Sequence, residues 1–410
     1  MRICVISTVS YWHGLRGGMD LHGKHLLEGL ASKGHEVIVI STKHPSGKEY
    51  ENINGIRLYY LQNTTFGSPR KKWEEESIKR FKAISGRGKI DVILSQSRAA
   101  YGVAKIAKDM GIPVVTIMHG YQTMILRSIW NQVRNFRKGY LTFFKASLAT
   151  FYYSVFQEYP LLMNSSAIIA VSDNVGEVLG RKPFIDRNKI SVINYGIDLG
   201  IFNVSQEKRK KTREYLNISD QDRVILFLSL LSKQKGADVA LRSFKELSEK
   251  ETNIKLIIGG DGEYLGEAKR LAKALHIEQA VSFPGFVPNE ETSGYYNAAD
   301  VFVFPTLRLE SFGIVIAEAM ACGKPVIASN IGSIPNVIDN GLNGILIPPG
   351  DYRELTQQIR RLLKDQDYFN MLSQNAHLKA TSNFGLDRMV EKTISVLELV
   401  RKDCTTVSDL

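Results

Sequence analysis

The sequence predicts two doubly wound α/β domains, each built on a parallel sheet with helices on both faces. Apolar runs of strand length alternate with helical stretches through both halves of the chain. The runs at 37–40, 224–228 and 255–260 are apolar on both faces, which is typical of parallel strands buried between helices. A length of 410 residues provides roughly two to three domains of about 150 residues each.

The first half begins with a strand and continues in strand–helix alternation. Strands are expected near residues 2–7, 35–41, 56–61, 90–95, 112–118, 167–171 and 189–193. Helices are expected near 19–32, 71–84, 98–110 and 173–180, with a long helical region near 124–159.

The second half repeats the same alternation. Strands are expected near residues 223–230, 253–259, 280–284, 300–304, 324–328 and 344–347. Helices are expected near 236–250, 263–275, 289–298, 312–321, 351–363, 366–381 and 386–402. This regular alternation indicates a doubly wound unit in each half.

The boundary between the domains is predicted near 194–203, where Gly196 and Gly200 interrupt the pattern. The first domain is then residues 1–198 and the second is residues 205–385.

A basic run follows this boundary at residues 206–217. It has the composition of a nucleic-acid-binding tract, but a solvated first helix of the second domain is favoured, with Tyr215 and Leu216 on its inner face.

The charge is concentrated in one half of the chain. There are 53 Lys and Arg against 42 Asp and Glu, a net charge of +11. Residues 1–200 hold 27 basic and 15 acidic side chains, whereas residues 201–410 hold 26 and 27. The first half is therefore expected to meet an anionic partner: nucleic acid, an anionic membrane surface or an anionic substrate.

Three cysteines, Cys4, Cys322 and Cys404, lie far apart and form neither a metal-ligand spacing nor a disulfide framework. The N-terminal segment lacks the long apolar stretch of a secretory signal, and no uncharged apolar run reaches the roughly 18 residues of a membrane span. These observations predict a protein of a reducing compartment, the cytoplasm.

Ligands of doubly wound sheets bind at the carboxyl ends of the strands, so the chemistry is expected in the loops that follow them. In the first half, Gly17 and Gly18 open a helix, where backbone N–H groups favour an anion. His119 ends the strand at 114–118. A plain strand–helix turn and a structural histidine remain the alternatives.

In the second half, Lys235 and Gly236 precede a helix, an arrangement that suits a phosphate but also a solvated loop. Glu310 lies in a later loop, and Glu318 lies about two turns into the helix that follows it. Glu318 stands in an apolar stretch and needs a partner if buried, either a ribose diol or a structural group.

Taken together, these motifs resemble the retaining glycosyltransferases of family four, which have the GT-B fold of two Rossmann-like domains facing across a cleft. The resemblance covers nearly the whole chain. It is carried by the double glycine at 17–18, the HG pair at 119–120, the junction at 194–198, the K-G pair at 235–236, the GDG triplet at 260–262, the E-x7-E pair at 310–318 and the PPGD run at 348–351. It also implies that the C-terminal helix at 386–410 packs back on the first domain.

The resemblance implies a donor that is a nucleotide-diphosphate sugar, UDP- or GDP-linked. Lys235 would neutralise the diphosphate, Glu310 would bind donor-sugar hydroxyls and Glu318 would bind the ribose. His119 would lie near the reacting centre, with His119, Lys235 and Glu310 as the catalytic set. The donor-binding set would comprise Gly17, Gly18, Gly260, Asp261, Val287, Arg308, Phe312, Gly313, Ile314 and Glu318.

Two positions depart from the family pattern. Ser229 and Leu230 stand where the family has Gly-Arg, and leucine does not replace a bidentate guanidinium. Lys233 or Arg308 would have to compensate at the diphosphate. Asn336 stands where the family usually has Glu, which is expected to change a structural hydrogen bond.

The resemblance favours front-face attack, with the leaving phosphate helping to deprotonate the acceptor, and no cofactor or metal ion is expected. Two D-x-D triplets, 220–222 and 365–367, are interpreted as turn residues because neither follows a strand.

The region 121–160 is rich in aromatic residues and holds five basic side chains against one acid, Glu158. Ile129, Val133, Phe136, Tyr140 and Phe143 fall on one face of a predicted helix, and Arg127, Asn131, Arg134 and Lys138 fall on another. The region is interpreted either as a packed helix with a solvated face or as an interfacial helix for a lipid-bearing acceptor at the inner face of a membrane.

The leading prediction is a hexose-transferring enzyme that acts on a glycan or lipid-linked acceptor in cell-surface polysaccharide or glycolipid assembly. One alternative is a degenerate family member that binds sugar nucleotide or glycan without transfer. A basic nucleic-acid-binding protein is a weaker third hypothesis, since no recognised motif supports it.

Overall fold

The structure is a computed structural model that describes residues 1–14, 17–69, 72–121 and 140–408, without the side chains at 140–143 and 404–408. Its contacts divide the chain into two units. The first comprises Met1–Gly196 and the segment from Leu386 onward, and the second comprises Ile197–Gly385. The domains predicted from the sequence are residues 1–198 and 205–385, with the helix from residue 386 assigned to the first domain.

The first unit is built on an eight-stranded sheet with the order β3-β4-β2-β1-β5-β6-β7-β8. Its strands are β1 (Arg2–Ile6), β2 (Glu36–Thr42), β3 (Tyr50–Ile53), β4 (Ile56–Leu61), β5 (Val92–Gln96), β6 (Val114–Met118), β7 (Ala167–Ala170) and β8 (Ile190–Val192). Its helices are α1 (Gly18–Ser32), α2 (Trp73–Ser85), α3 (Tyr101–Asp109), α4 (Tyr140–Tyr153), α5 (Tyr159–Asn164) and α6 (Asp173–Gly180), with a π-helical turn at Ser154–Glu158 between α4 and α5.

The second unit is built on a six-stranded parallel sheet with the order β11-β10-β9-β12-β13-β14. Its strands are β9 (Arg223–Leu228), β10 (Ile254–Gly259), β11 (Val281–Gly285), β12 (Val301–Phe304), β13 (Val326–Ser329) and β14 (Ile345–Ile347). Its helices are α7 (Gln206–Tyr215), α8 (Ala237–Ser248), α9 (Leu265–Ala274), α10 (Asn289–Ala298), α11 (Ile314–Ala321), α12 (Ile334–Val337), α13 (Tyr352–Lys364) and α14 (Gln366–Asn383).

The last helix, α15 (Leu386–Ser408), packs on α1 of the first unit. The close approach depends on Gly29, because a Cβ at that position would overlap the Val390 side chain.

The two predicted doubly wound α/β sheets are confirmed. One strand, β3, is not predicted by the sequence because it is short, polar and alternately exposed at the edge of the sheet, where it pairs antiparallel with β4. The central strands were predictable because nearly all their side chains are buried on both faces.

Helix α7 differs from the sequence prediction in which residues it buries. Tyr215 is 73% exposed, whereas Arg213 is only 1% exposed. Arg213 and Arg209 donate to the two carboxylate oxygens of Asp300, at 3.0 and 2.9 Å. The expectation that Tyr215 forms the inner face was therefore wrong, since a buried ion pair takes that place.

Each sheet has one point at which the strand order reverses. In the first sheet it lies between β1 and β5, and in the second between β9 and β12. Loops that leave neighbouring strands in opposite directions open a crevice at such a point, where ligands of doubly wound sheets bind. Among the described helices, none combines the length and apolar composition needed to cross a membrane.

Candidate functional site

The centre of the site in the second unit is an ion pair between the loops after β9 and β12. The ammonium Nζ of Lys235 donates to Oε1 of Glu310 at 2.7 Å, and both side chains are about 15% exposed. Thr306 adds a longer contact from its hydroxyl to the same oxygen, at 3.4 Å. The two residues that the sequence assigned to separate parts of a donor therefore lie in direct contact.

The backbone fixes this pair by joining the two loops. The Leu307 N–H donates to the Gln234 carbonyl at 2.8 Å. Gly236 has a φ of +82°, and a Cβ there would overlap the Pro305 carbonyl. Gly236 therefore meets two demands, a left-handed backbone and close packing of one loop on the other.

Glu310 is held from its other side by the loop after β13. The Ser333 N–H donates to the Glu310 carbonyl at 2.9 Å. A Cβ at Gly332, whose φ is +62°, would lie 2.7 Å from the Glu310 backbone nitrogen. The carboxylate thus projects from a backbone segment that is hydrogen-bonded and packed on two sides.

Gly260 and Asp261 follow β10 and pack on the loop after β9. The Leu231 N–H donates to the Asp261 carbonyl at 2.8 Å, and a Cβ at Gly260, whose φ is +122°, would overlap the Ser229 carbonyl. The Asp261 carboxylate accepts from the Gly262 N–H at 2.7 Å. The glycines of this triplet therefore have a packing role in shaping the crevice.

Gly313, with a φ of +90°, precedes α11, whose first residue is Ile314. The first N–H groups of a helix lack partners within it and attract anions. Phe312 and Val287 are buried, and the Phe312 ring packs edge-on against Phe384. The Phe312 and Val287 side chains are therefore core residues, and the backbone beside them is what a ligand can reach.

Glu318 is buried on α11 and has a protein partner. Its Oε2 accepts from the Tyr296 hydroxyl at 2.8 Å. Burial raises the pKa of this carboxyl from 4.5 to about 7, and the Tyr296 hydrogen bond lowers it. Tyr296 was not predicted as a site residue, since the sequence left open whether a ribose or a structural group pairs with Glu318.

In the first unit, His119 lies between the ends of two strands. Its Nε2 is 2.6 Å from the Gln96 side-chain oxygen, and its Nδ1 is 2.7 Å from the Tyr195 hydroxyl. Because that oxygen only accepts, Nε2 carries the proton and Nδ1 accepts from Tyr195. Burial lowers the pKa of His119 to about 4, so the ring is neutral at pH 7.

Gln96 and Tyr195 are site residues that the sequence did not single out. Gln96 ends β5, which pairs with β6, the strand that His119 follows. This position at a strand end was the only sequence signal that could have identified Gln96. The ring of His22, on α1, stacks on Tyr195 at 4.4 Å between centroids.

Gly17 and Gly18 lie where α1 begins, next to a cavity of about 180 Å³. Gly17 is the N-cap, and its N–H donates to the Asp20 carboxylate at 3.2 Å. Burial raises the pKa of Asp20. The cavity is lined by residues of the loop after β1, by residues of α1 and by Gln96.

Two family models match this chain in succession. The model described as Glycosyltransferase Family 4 matches residues 16–200, and the model described as Glycosyl transferases group 1 matches residues 208–379. The chain is a glycosyltransferase of the family-four type.

Two similar proteins support this assignment, and one solved structure supports the fold. A glycosyltransferase of Methanocaldococcus jannaschii is 29% identical, with 97% of this chain and 98% of that protein covered. The alpha-monoglucosyldiacylglycerol synthase of Streptococcus pneumoniae is 28% identical, over 77% of this chain and 69% of that protein. The solved structure of Anabaena HepE with UDP and glucose has a TM-score of 0.74 at 20% identity, with 97% of this chain and 99% of that chain covered.

The GT-B fold expected from the sequence is thereby confirmed, and the protein is a glycosyltransferase. The departure of this family member at Leu230 is visible in the structure, where Leu230 is 67% exposed beside the crevice loop. Lys233 and Arg308, the two residues expected to compensate, are also exposed.

Part of the predicted acceptor region lies outside the described residues. Arg127, Asn131, Arg134 and Lys138 belong to it, so their predicted placement on one helix face lies outside the described residues, as does Arg137. In the described parts of the chain, no three His, Cys, Asp or Glu side chains converge as a metal site would require.

Proposed function

We propose that this glycosyltransferase moves a hexose-type sugar from a UDP- or GDP-sugar to a glycan or lipid-linked acceptor, in cell-surface polysaccharide or glycolipid assembly. The observation that carries the proposal is the Lys235–Glu310 pair in the crevice between β9 and β12. It puts a cation beside a helix N-terminus and a carboxylate beside that cation, which suits a diphosphate joined to a polyhydroxylated ring.

In the proposed complex, the donor diphosphate replaces part of the Glu310 contact to Lys235. Breaking the anomeric bond then places negative charge on the leaving phosphate. Lys235 and the N–H groups at Gly313 and Ile314 stabilise that charge, a type of interaction whose removal costs about 3 kcal/mol. Glu310, freed on one side, accepts hydrogen bonds from sugar hydroxyls.

The nature of the partners is proposed from the similar proteins. Anabaena HepE was solved with UDP and glucose, and the name of the pneumococcal synthase describes a glycolipid product. These two names support a sugar nucleotide as donor and a lipid or glycan as acceptor. We place acceptor binding at the first-unit cavity beside Asp20 and Gln96.

We further propose that transfer retains the anomeric configuration without a metal ion. A double displacement needs a free carboxylate at the anomeric carbon, whereas in the proposed complex Glu310 keeps part of its contact to Lys235 and accepts from sugar hydroxyls. Front-face attack, assisted by the leaving phosphate, avoids that requirement. The anomeric coupling constant of the product, read by NMR, tests this step, and an inverted product would contradict it.

The place of action that we propose is the cytoplasm, with peripheral association at the inner face of the membrane. The basic first half of the chain supports it, because 27 Lys and Arg against 15 Asp and Glu favour an anionic surface.

A thermal-shift screen with UDP, GDP, ADP and their sugars tests donor binding. A nucleotide present at 100 times its dissociation constant stabilises the protein by about 2.7 kcal/mol, which raises the unfolding midpoint by several degrees. Lys235→Met should abolish the shift for the matching nucleotide. The absence of a shift with every nucleotide in the wild type would overturn the proposal.

A second candidate function is sugar-nucleotide binding without transfer. The observation that favours it is Leu230, which puts an exposed apolar side chain where the family has a diphosphate-binding arginine. Leu230→Arg distinguishes the two functions. If the wild type transfers sugar, the variant should transfer it with an altered donor affinity. If the wild type is degenerate, only the variant should transfer sugar.

A further inference from the structure

The helical segment 144–163 of the first unit exposes an apolar surface. We define the aromatic face as Phe144, Leu148, Phe151, Tyr152, Val155 and Phe156, whose exposed fractions lie between 42% and 66%. Spacings of three and four residues along α4 and the π-helical turn that follows it bring them to one side of the helical segment. Met163 on α5 is also half exposed.

The polarity of this segment is the reverse of that of an ordinary surface helix. The π-helical turn buries Gln157 and Glu158 while it exposes Val155 and Phe156. Glu158 lies in an ion pair with Lys182 at 2.5 Å on the buried side. A helix that buries its carboxylate and exposes its aromatic rings is suited to apolar surroundings on its outer side.

The charges around the aromatic face indicate which kind of apolar partner it contacts. The sequence from 140 to 164 has one acidic residue, the buried Glu158, while Lys145 is exposed within the aromatic face. Helix α3, which packs against α5, exposes Lys105 and Lys108. In the described ranges 101–121 and 140–150, three lysines are present against one acid, Asp109.

These charges favour an anionic lipid surface over a second copy of the chain. Two copies joined by this face would bring two basic surfaces together, whereas acidic lipid headgroups attract them. Aromatic and aliphatic side chains flanked by lysine are the composition of helices that lie in a membrane interface.

We propose that the aromatic face is a docking surface that lies in the interface of an anionic membrane. The proposal deepens the proposed function, and rests on it, in that a lipid-linked acceptor would be met at this surface. The proposal differs from the sequence interpretation in the residues it assigns to membrane contact. These are the apolar side chains of α4 and of the π-helical turn.

Co-sedimentation with vesicles tests the proposal. The wild type should sediment with phosphatidylcholine–phosphatidylglycerol vesicles and bind phosphatidylcholine vesicles less strongly. The double variant Leu148→Ser/Phe151→Ser should lower the partition coefficient about tenfold or more, because it removes two of the exposed apolar side chains. Its unfolding midpoint should stay near that of the wild type, since both side chains are exposed.

The matched control is Met371→Ser/Leu378→Ser, which removes two exposed apolar side chains from one helix of the second unit. It should bind vesicles as the wild type does. An equal loss of vesicle binding in both double variants, or no loss of vesicle binding in either, would overturn the proposal. Equal binding to the two vesicle types would contradict the preference for anionic lipid.

Two further measurements separate the remaining outcomes. Light scattering that shows a wild-type dimer lost in Leu148→Ser/Phe151→Ser, without vesicle binding, would assign the face to a second copy and overturn the proposal. Donor binding, measured by thermal shift on the same preparation, is independent of vesicles. Intact donor binding without vesicle binding would therefore contradict the docking surface and leave the proposed function standing.

Discussion

Glu318 is a single buried carboxyl whose protonation changes within the physiological pH range. The folded state raises its pKa from 4.5 to about 7, chiefly by burial. The folded chain therefore holds this proton more tightly than the unfolded chain does. The stability that the proton provides is lost as the pH rises from about 4.5 to about 7, and above that range the folded state carries the full cost of the buried charge.

Glu318→Gln should remove this dependence while its side-chain oxygen still accepts from Tyr296. We expect the variant to gain stability relative to the wild type at pH 8, by at most about 3 kcal/mol, and to gain little at pH 5. Thermal unfolding at the two pH values measures the difference. A stability difference that is the same at both values would contradict the raised pKa.

At the same scale, Lys235 and Glu310 show what motif spacing can and cannot reveal. The sequence placed both residues in loops at strand ends, and the structure confirms that placement. Their direct contact was not predictable, because it depends on the neighbouring positions of β9 and β12 in the sheet, which are far apart in sequence. Tyr296 and Gln96 were not predicted as site residues for the same reason, since packing brings each of them to its partner.

At the scale of elements, the loop before α8 depends on Gly236. Gly236→Ala places a Cβ against the Pro305 carbonyl in addition to requiring a φ of +82°. Gly341→Ala is the control, since Gly341 has a φ of +77° with open space around it.

The control should lose about 1–2 kcal/mol from its left-handed backbone. Gly236→Ala should lose more and also weaken donor binding, because the loop that carries Lys235 must shift. Denaturant unfolding and a donor titration measure the two effects. Equal losses of stability in the two variants would contradict the account of loop packing.

The buried pair that attaches α7 to the second sheet is a stronger constraint. Asp300 accepts from Arg209, from Arg213 and from the Val224 N–H at 2.7 Å. Asp300→Asn leaves a buried guanidinium without its counter-charge, so we expect a loss of about 3–5 kcal/mol in the free energy of unfolding.

The control on the same helix is Glu214→Gln, which weakens an exposed ion pair with Lys210. It should cost less than about 1 kcal/mol. Denaturant unfolding compares the two variants, and similar stabilities would show that Arg213 is not held by Asp300.

The sequence misjudged α7 because composition does not reveal burial of charge. A run with this many basic residues indicates a solvated helix, and its inner face was expected to be supplied by Tyr215. Asp300, the acid whose charge compensates the burial of Arg213, lies immediately before β12, so no local sequence pattern connects the two residues. In contrast, α10 matched its predicted limits, residues 289–298.

At the scale of the whole molecule, the order of weak motifs was more informative than any single motif. The glycines at 260–262 and 236 serve loop packing, so each has a structural reason that an unrelated protein could share. The two family models match residues 16–200 and 208–379, ranges that together span both doubly wound sheets. The charge distribution gave information on the proposed membrane partner that the motifs lack, since the basic half of the chain is also the half that exposes the aromatic face.

The most direct test of the central claim is sugar transfer by matched variants. Labelled UDP- and GDP-hexoses are supplied with a lipid and glycan extract, and incorporation of label is measured for the wild type, Lys235→Met and Glu310→Gln. The controls are Lys245→Met and Glu249→Gln, which alter an exposed ion pair on α8. We predict incorporation by the wild type and both controls, and a loss of about 100-fold or more in the two crevice variants. Crevice variants that transfer at the wild-type rate, or a wild type that transfers from none of the donors, would contradict the account.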